Sequence, residues 1–228
     1  MIDLRQCRIV ITTSDDYVGL LPGFAHQWDK YCGLPVTVVY RNVAPPALPS
    51  HYTMLASPAR YYDWSTSLRN ALEQMTEPIV LLGLEDYWLA DHVNMPALAA
   101  ALTYILEHEE VQRIDLTRDR TAYPHIDRGE YVQAILNPDA VEYVLSTQFS
   151  LWQKAFLHGA LQPGELGPQF EVEASRRIAP QHPIVLGTRQ VVLPCHGDGV
   201  IWNGRLDNLH LEYLSDADIA ALKDEGYA

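Results

Sequence analysis

Residues 78–86 read PIVLLGLED, a proline, five aliphatic side chains around one glycine, and then two adjacent carboxylates. An apolar run this short, with no alternation, suits a strand covered on both faces. The acids then fall where the strand leaves the sheet. Cys7–Thr13 (CRIVITT) has the same character and also runs into acids, Asp15 and Asp16. Pro35–Tyr40 (PVTVVY) and Val111–Leu116 supply two more strand-like runs. Between them lie stretches of helical period. Tyr17–Tyr31 places Leu20, Leu21, Phe24 and Trp28 on one face, with Pro22 tolerable near its start and Gly33 as a stop. Trp64–Met75 repeats Leu68, Leu72 and Met75, and Pro96–His108 is the third such stretch. Strand and helix alternating through 116 residues predict a doubly wound, mostly parallel α/β sheet flanked by helices.

The remainder is less regular. Val141–Thr147 reads as a strand, Leu151–His158 as a short helix, Phe170–Arg177 as a helical segment, and Ser215–Glu225 as a terminal helix. Gln190–Leu193 and Val200–Trp202 read as strands joined through residues 196–199, with a turn at Asn203-Gly204. Pro45–Ser50 is a loop, and Thr117–Tyr131, with Arg118, Arg120 and Arg128, reads as a longer one able to act as a lid. With no repeat or linker, 228 residues read as one domain, a first half over 1–120 and an irregular second half over 121–228.

Sixteen Lys and Arg against 29 Asp and Glu give a charge of −13, which disfavours non-specific binding to nucleic acid or an anionic membrane. Asp3 and Arg5 interrupt any leader-like segment, no run reaches the length of a membrane span, and three unpaired cysteines suit a reducing compartment. The expectation is a cytoplasmic protein. There is no GxGxxG, GxxxxGK[ST], GxSxG or HExxH, and no cysteine–histidine cluster of zinc spacing.

In a doubly wound sheet the ligand lies beyond the carboxyl ends of the strands, near a switch in strand order. Three strand ends are rich in polar groups: 12–16, Glu85-Asp86 and 115–120. Ionised carboxylates at the end of a buried strand are costly unless paired, hydrated or bound to a metal. Asp86, on the loop side, is the better placed of its pair to face a ligand. Adjacent strand residues point to opposite faces, so Glu85 and Asp86 share one metal ion only if the backbone bends. Helix capping is the competing reading for Asp86 and for Asp15-Asp16. Trp64, Trp88 and Trp152 equally suit a core.

The segments VITTSDDYVGLLPGFAHQWDKYCG, WSTSLRNAL, VLLGLEDYWL, RIDLTRDR, STQFSLWQKAFL and PGELGPQFEVEASRR follow one another between Val10 and Arg177. In that order they resemble GT-A-superfamily glycosyltransferase-like proteins of phages and environmental bacteria. The resemblance implies a single GT-A-like, Rossmann-like domain whose first half binds a nucleotide-sugar, a UDP-sugar foremost, and whose second half binds an acceptor. It implies that Thr13, Ser14, Asp15 and Asp16 meet the nucleobase and ribose. Trp64, Ser65, Arg69, Glu85 and Arg120 would also line the donor site. Asp86 would stand in for the superfamily's D-x-D carboxylate, holding Mg or Mn. Glu171 would be the base, and Gln148, Trp152, Glu173 and Arg176 would border the acceptor. The third strand ends in Glu85-Asp86 and not in D-x-D, which leaves metal use open; without a metal, Arg120 or Arg176 would carry the leaving-group charge. The acceptor implied is a glycan, a small molecule or a hydroxymethylated pyrimidine in DNA. Two rivals stand beside this reading. One is an inactive GT-A-like domain that binds nucleotide or glycan, or serves an assembly. The other is a nucleotidyltransferase, which calls for a glycine-rich phosphate loop that ITTSDDY does not provide.

Overall fold

The structure, a computed structural model, describes residues 5–60, 63–117, 119–135, 143–195 and 199–202, together with 205, 206, 216 and 220. Its strands are β1 (Cys7–Thr12), β2 (Val36–Tyr40), β3 (Tyr52–Ala56), β4 (Ile79–Leu84), β5 (Val111–Asp115), β6 (His125–Arg128), β7 (Tyr131–Ala134), β8 (Ser150–Gln153) and β9 (Ile184–Thr188). They form one sheet in the order β3-β2-β1-β4-β8-β5-β9-β7-β6. β8 runs against β4 and β5, and β7 against β9 and β6, so seven of the nine strands point the same way. The sheet is mixed and mostly parallel, flanked by helices. A small hairpin pairs β10 (Ile201–Trp202) with β11 (Arg205–Leu206).

Alternate side chains of the central strands enter two cores. Ile9, Ile11, Ile79 and Leu81 pack under α1 (Leu21–Tyr31) and α3 (Met95–Glu107) with Phe24, Trp28, Trp88 and Phe149. Val10, Val80 and Leu82 face the other way, under α2 (Trp64–Leu72) and α4 (Lys154–Ala160), with Trp64, Trp152 and Phe170. This two-sided burial is why both strands read as unbroken apolar runs. Gly23 lets α1 close on Trp88, since a Cβ there would lie 2.0 Å from the indole. Asp63 and Asn94 cap α2 and α3 by accepting from Thr66 and Ala97 backbone N–H groups.

The sequence reading departs from the structure in its second half and at one edge. Tyr52–Ala56, read as nothing, is the exposed edge strand β3. Leu151–Gln153, read as helix, belongs to β8, and the helix begins at Lys154. The expected lid carries a short 3-10 turn and the hairpin β6–β7 instead of an open loop. Tyr143, with φ of 61°, breaks the strand expected over Val141–Thr147, whose first two residues lie outside the described ones. Residues 190–193 are irregular: Val192 and Leu193 donate to the Leu116 carbonyl and Val192 accepts from Asn94, while β9 lies just upstream. Arg118, residues 196–198, Asn203-Gly204 and most of the expected terminal helix lie outside the described residues; of that helix Asp216 and Ala220 are described, both helical.

Candidate functional site

From β1 the chain passes through β2 to β3 on one side, while β4 lies on the other side of β1. The carboxyl ends of β1 and β4 therefore flank a switch point. Beyond β4 the chain turns at once: Tyr87 N–H donates to Leu84 O and Trp88 N–H to Asp86 O. That bend brings Glu85 and Asp86 together although they are neighbours in sequence. Ser14 N–H, from the loop after β1, donates to Glu85 Oε1 at 3.4 Å, and the Thr13 hydroxyl supports the same carboxylate.

Burial pushes Glu85 up to about 8, and the Asp86 charge adds to this against the hydrogen bonds from the loop. Burial likewise pushes Asp86 up to about 7, and the Glu171 charge adds to this. Tyr17 is raised too, by burial and then by Glu85, Asp16 and Asp86, so it looks onto the same cluster. Asp86 Oδ1 is a buried acceptor with no hydrogen-bond partner among the described residues. Gly199, at φ +115°, covers the carboxylate; a Cβ there would lie 2.6 Å from Asp86 Oδ2. Among the described residues no arginine or lysine pairs with Glu85, Asp86 or Glu171.

Glu171 comes from the second half of the chain. A helical run through α5 (Gly167–Gln169) and α6 (Ser175–Ile178) is interrupted by a π-helical turn over Phe170–Ala174, and Glu171 lies in that turn. Such turns are rare and concentrate at functional sites. Phe170 and Ala174 face the core, and Glu171 Oε1 accepts from Thr147 N–H at 2.6 Å and Thr147 Oγ1 at 2.8 Å. Gln148 beside it accepts from the Thr117 hydroxyl at 2.8 Å.

The structure thus brings Thr13, Ser14, Glu85, Asp86 and Glu171 into one acidic cluster, with exposed Asp16 in electrostatic reach of Tyr17. Other expected site residues are engaged elsewhere. Asp15 takes hydrogen bonds from Asn42 and Val43 and lies near Arg41; together these outweigh its burial and hold it below the usual carboxylate range. It braces the loop after β2 instead of capping a helix. Trp64 donates to Thr12 Oγ1 and packs on Phe170, and Ser65 is wholly buried, so both belong to the core behind the cluster. Arg69 turns outward beside Glu73. Arg120 is buried and donates to Asp115, which it shares with Arg113, and to the Tyr143 and Val144 carbonyls. Trp152 is fully buried under Arg113, a core wall and not an acceptor platform. Glu173 and Arg176 pair with each other on the outer face of the helical run. Tyr17, Thr147 and Gly199 join the cluster without having been singled out; no local motif marks a side chain whose partner is more than twenty residues away.

No family model matches the chain, and no curated protein matches it. Solved structures do. The mannosyltransferase PcManGT from Pyrobaculum calidifontis, in complex with GDP-Man and Mn2+, superposes with a TM-score of 0.55 at 14% identity over 87% of this chain. S. aureus TarS gives 0.51 at 15% over 82%. CMP:2-keto-3-deoxy-manno-octonic acid synthetase, complexed with CTP, gives 0.53 at 10% over 96% of this chain and 99% of its own. The chain spans 58% of the mannosyltransferase's length and 36% of that of TarS. These likenesses establish the fold, the α/β architecture common to GT-A-type glycosyltransferases and nucleotidyltransferases. No helix among the described residues is long and apolar enough to cross a membrane.

Proposed function

We propose that the chain is a nucleotide-sugar-dependent glycosyltransferase that moves a sugar from a nucleoside-diphosphate donor, a UDP-sugar foremost, to an acceptor hydroxyl. One observation carries this reading: buried Glu85 and half-buried Asp86, with Glu171 in electrostatic reach of Asp86, have no arginine or lysine partner among the described residues, at the switch point of a sheet shared with such enzymes. Three acids with no cation beside them among the described residues are well suited to a ligand that supplies positive charge and hydroxyl donors.

In this reading Thr13 and Ser14 meet the nucleoside, and Glu171 takes the proton of the acceptor hydroxyl. The acceptor oxygen bonds to the anomeric carbon as the bond from that carbon to the diphosphate breaks. The bonding pair leaves with the nucleoside diphosphate. A divalent ion fits here through Asp86: the orphaned Oδ1 offers an oxygen ligand, and such ions on nucleotides are commonly held by one or two carboxylates plus phosphate and water. Among the described residues no group of three or more metal-ligating side chains exists, so donor phosphates would complete the shell. When bound, Mg or Mn supplies the positive charge that the departing diphosphate needs. Residues of 121–228 around Glu171 then form the acceptor half. A charge of −13 favours a glycan or small molecule over a base in DNA.

Nucleotidyl transfer is the second reading, because the chain spans nearly the whole CTP-bound synthetase. Against it stands the loop after β1, whose Asp15 and Asp16 ill suit a triphosphate. Thermal-shift titration with UDP-, GDP-, CMP- and dTDP-sugars, each with and without Mn, followed by assays of sugar transfer and donor hydrolysis, tests the proposal. Stabilisation and turnover with one nucleotide-sugar are expected. Pyrophosphate release from CTP plus a sugar acid, without transfer from any donor, would establish the second reading instead. Stabilisation without either reaction would leave a binding domain.

A further inference from the structure

We infer that Thr147 is the positioning residue of the reaction, fixing one oxygen of Glu171 and leaving the other to take the acceptor proton. The inference rests on Glu171 acting as the base. Both donors of Thr147, its N–H at 2.6 Å and its hydroxyl at 2.8 Å, converge on Oε1. Two donors on one oxygen hold a carboxylate more tightly than one, and among the described residues no hydrogen bond reaches Oε2. Thr147 is itself 4% exposed, so its own position is set from within the protein.

What sets it is the strip over 143–150. Arg113 donates to Val144 O, Ser146 Oγ and Ser150 Oγ at 2.7–2.8 Å. Arg120 adds Tyr143 O and Val144 O. Asp115 holds both guanidinium groups. The helix is tied to this strip a second time, one turn beyond the base: Leu145 N–H donates to Ser175 Oγ at 2.8 Å, and the Ser175 hydroxyl donates to Glu171 O at 2.5 Å. The π turn carrying Glu171 is therefore pinned by its side chain to Thr147 and by its backbone, through Ser175, to Leu145. Thr147 acts through Glu171 and touches no substrate.

A double-mutant cycle tests this on the full chain, with Thr147→Val, Glu171→Gln and the pair. Thr147→Val keeps the backbone donor and the shape but removes the hydroxyl. We expect kcat to fall at least tenfold with donor KM within about twofold, and Thr147→Ser to return kcat to within about threefold of the wild type. In the Glu171→Gln background the same change should add less than about twofold, because a residue acting through the base loses its effect once the base is gone. An equal loss in both backgrounds, or no loss while Glu171→Gln is inactive, overturns the role of Thr147 and leaves the base assignment standing. Wild-type turnover in Glu171→Gln overturns the base assignment and this inference with it. If Thr147→Val does not fold, Thr147→Ala in the same cycle reads the same outcomes.

Discussion

The tips of β4 and β5 place carboxylates at the same edge of the sheet, and the protein treats them oppositely. Asp115 is buried between Arg113 and Arg120 and also accepts from Ser150 Oγ, so its charge is neutralised from within the chain. Buried Glu85 and half-buried Asp86 lie beside each other, with Glu171 in electrostatic reach of Asp86; among the described residues they meet only hydroxyl and backbone donors, and both are pushed towards protonation. The first arrangement is finished without a ligand. The second is not, and an acidic site held open at a switch point is what a cation-bearing nucleotide can complete. Burial alone does not mark an acid as a candidate site residue; the lack of a counter-charge among the described residues does.

Four experiments press on that contrast, the largest effect first. Asp115→Ala leaves two buried guanidinium groups uncompensated and should cost about 3–5 kcal/mol in urea unfolding. A cost under 1 kcal/mol would remove the structural half of the comparison. Asp86→Asn should do the reverse: turnover falls by about 10²–10³, while stability near pH 7.5 holds or rises. A melting temperature that drops as far as that of Asp115→Ala would place Asp86 with the structural acids.

The third experiment is a pH series without ligand. Glu85 and Asp86 have folded values near 8 and 7, above their unfolded range near 4. Across that interval the unfolded chain releases protons that the native state keeps, so unfolding free energy should decline as pH rises from about 5 to 8. The lowered carboxylates, Asp15, Asp63 and Glu77 among them, act only at more acidic pH. A decline of at least about 1.4 kcal/mol is expected, the equivalent of one pH unit for one group. It should flatten in the double variant Glu85→Gln/Asp86→Asn, and a flat wild-type profile would contradict the burial argument. The smallest effect belongs to Glu173→Ala and Arg176→Ala, which open an exposed pair. Each should change stability by less than about 0.5 kcal/mol and leave turnover within about twofold.

The strands that the sequence revealed and those it hid differ in a physical way. β1 and β4 are covered on both faces, so every position must be apolar and the run is visible. β3 and β6 lie at the two edges and expose most of their residues, so their composition is that of a loop. β8 passes into α4 with no breaker between Gln153 and Lys154, and its Leu151 and Trp152 suit either period. The site divides in the same manner. Thr13, Ser14, Glu85 and Asp86 follow visible strands, and their convergence follows from the sheet order. Thr147, Tyr17 and Gly199 carry no local mark.

By itself, the amino-acid order determined an α/β sheet with acids at the ends of two inner strands, because two-sided burial and strand exit leave a local composition. Which acids are satisfied was decided only in three dimensions. Arg113 and Arg120 reach Asp115 within one short stretch, yet nothing in that stretch says they turn inward to it and not toward a phosphate. The lack of a partner for Asp86 Oδ1 among the described residues, and the tie between Thr147 and Glu171, depend on segments brought together by packing across the sheet. Charge balance inside a protein is a property of neighbours in space, and those neighbours exist only once the chain has folded.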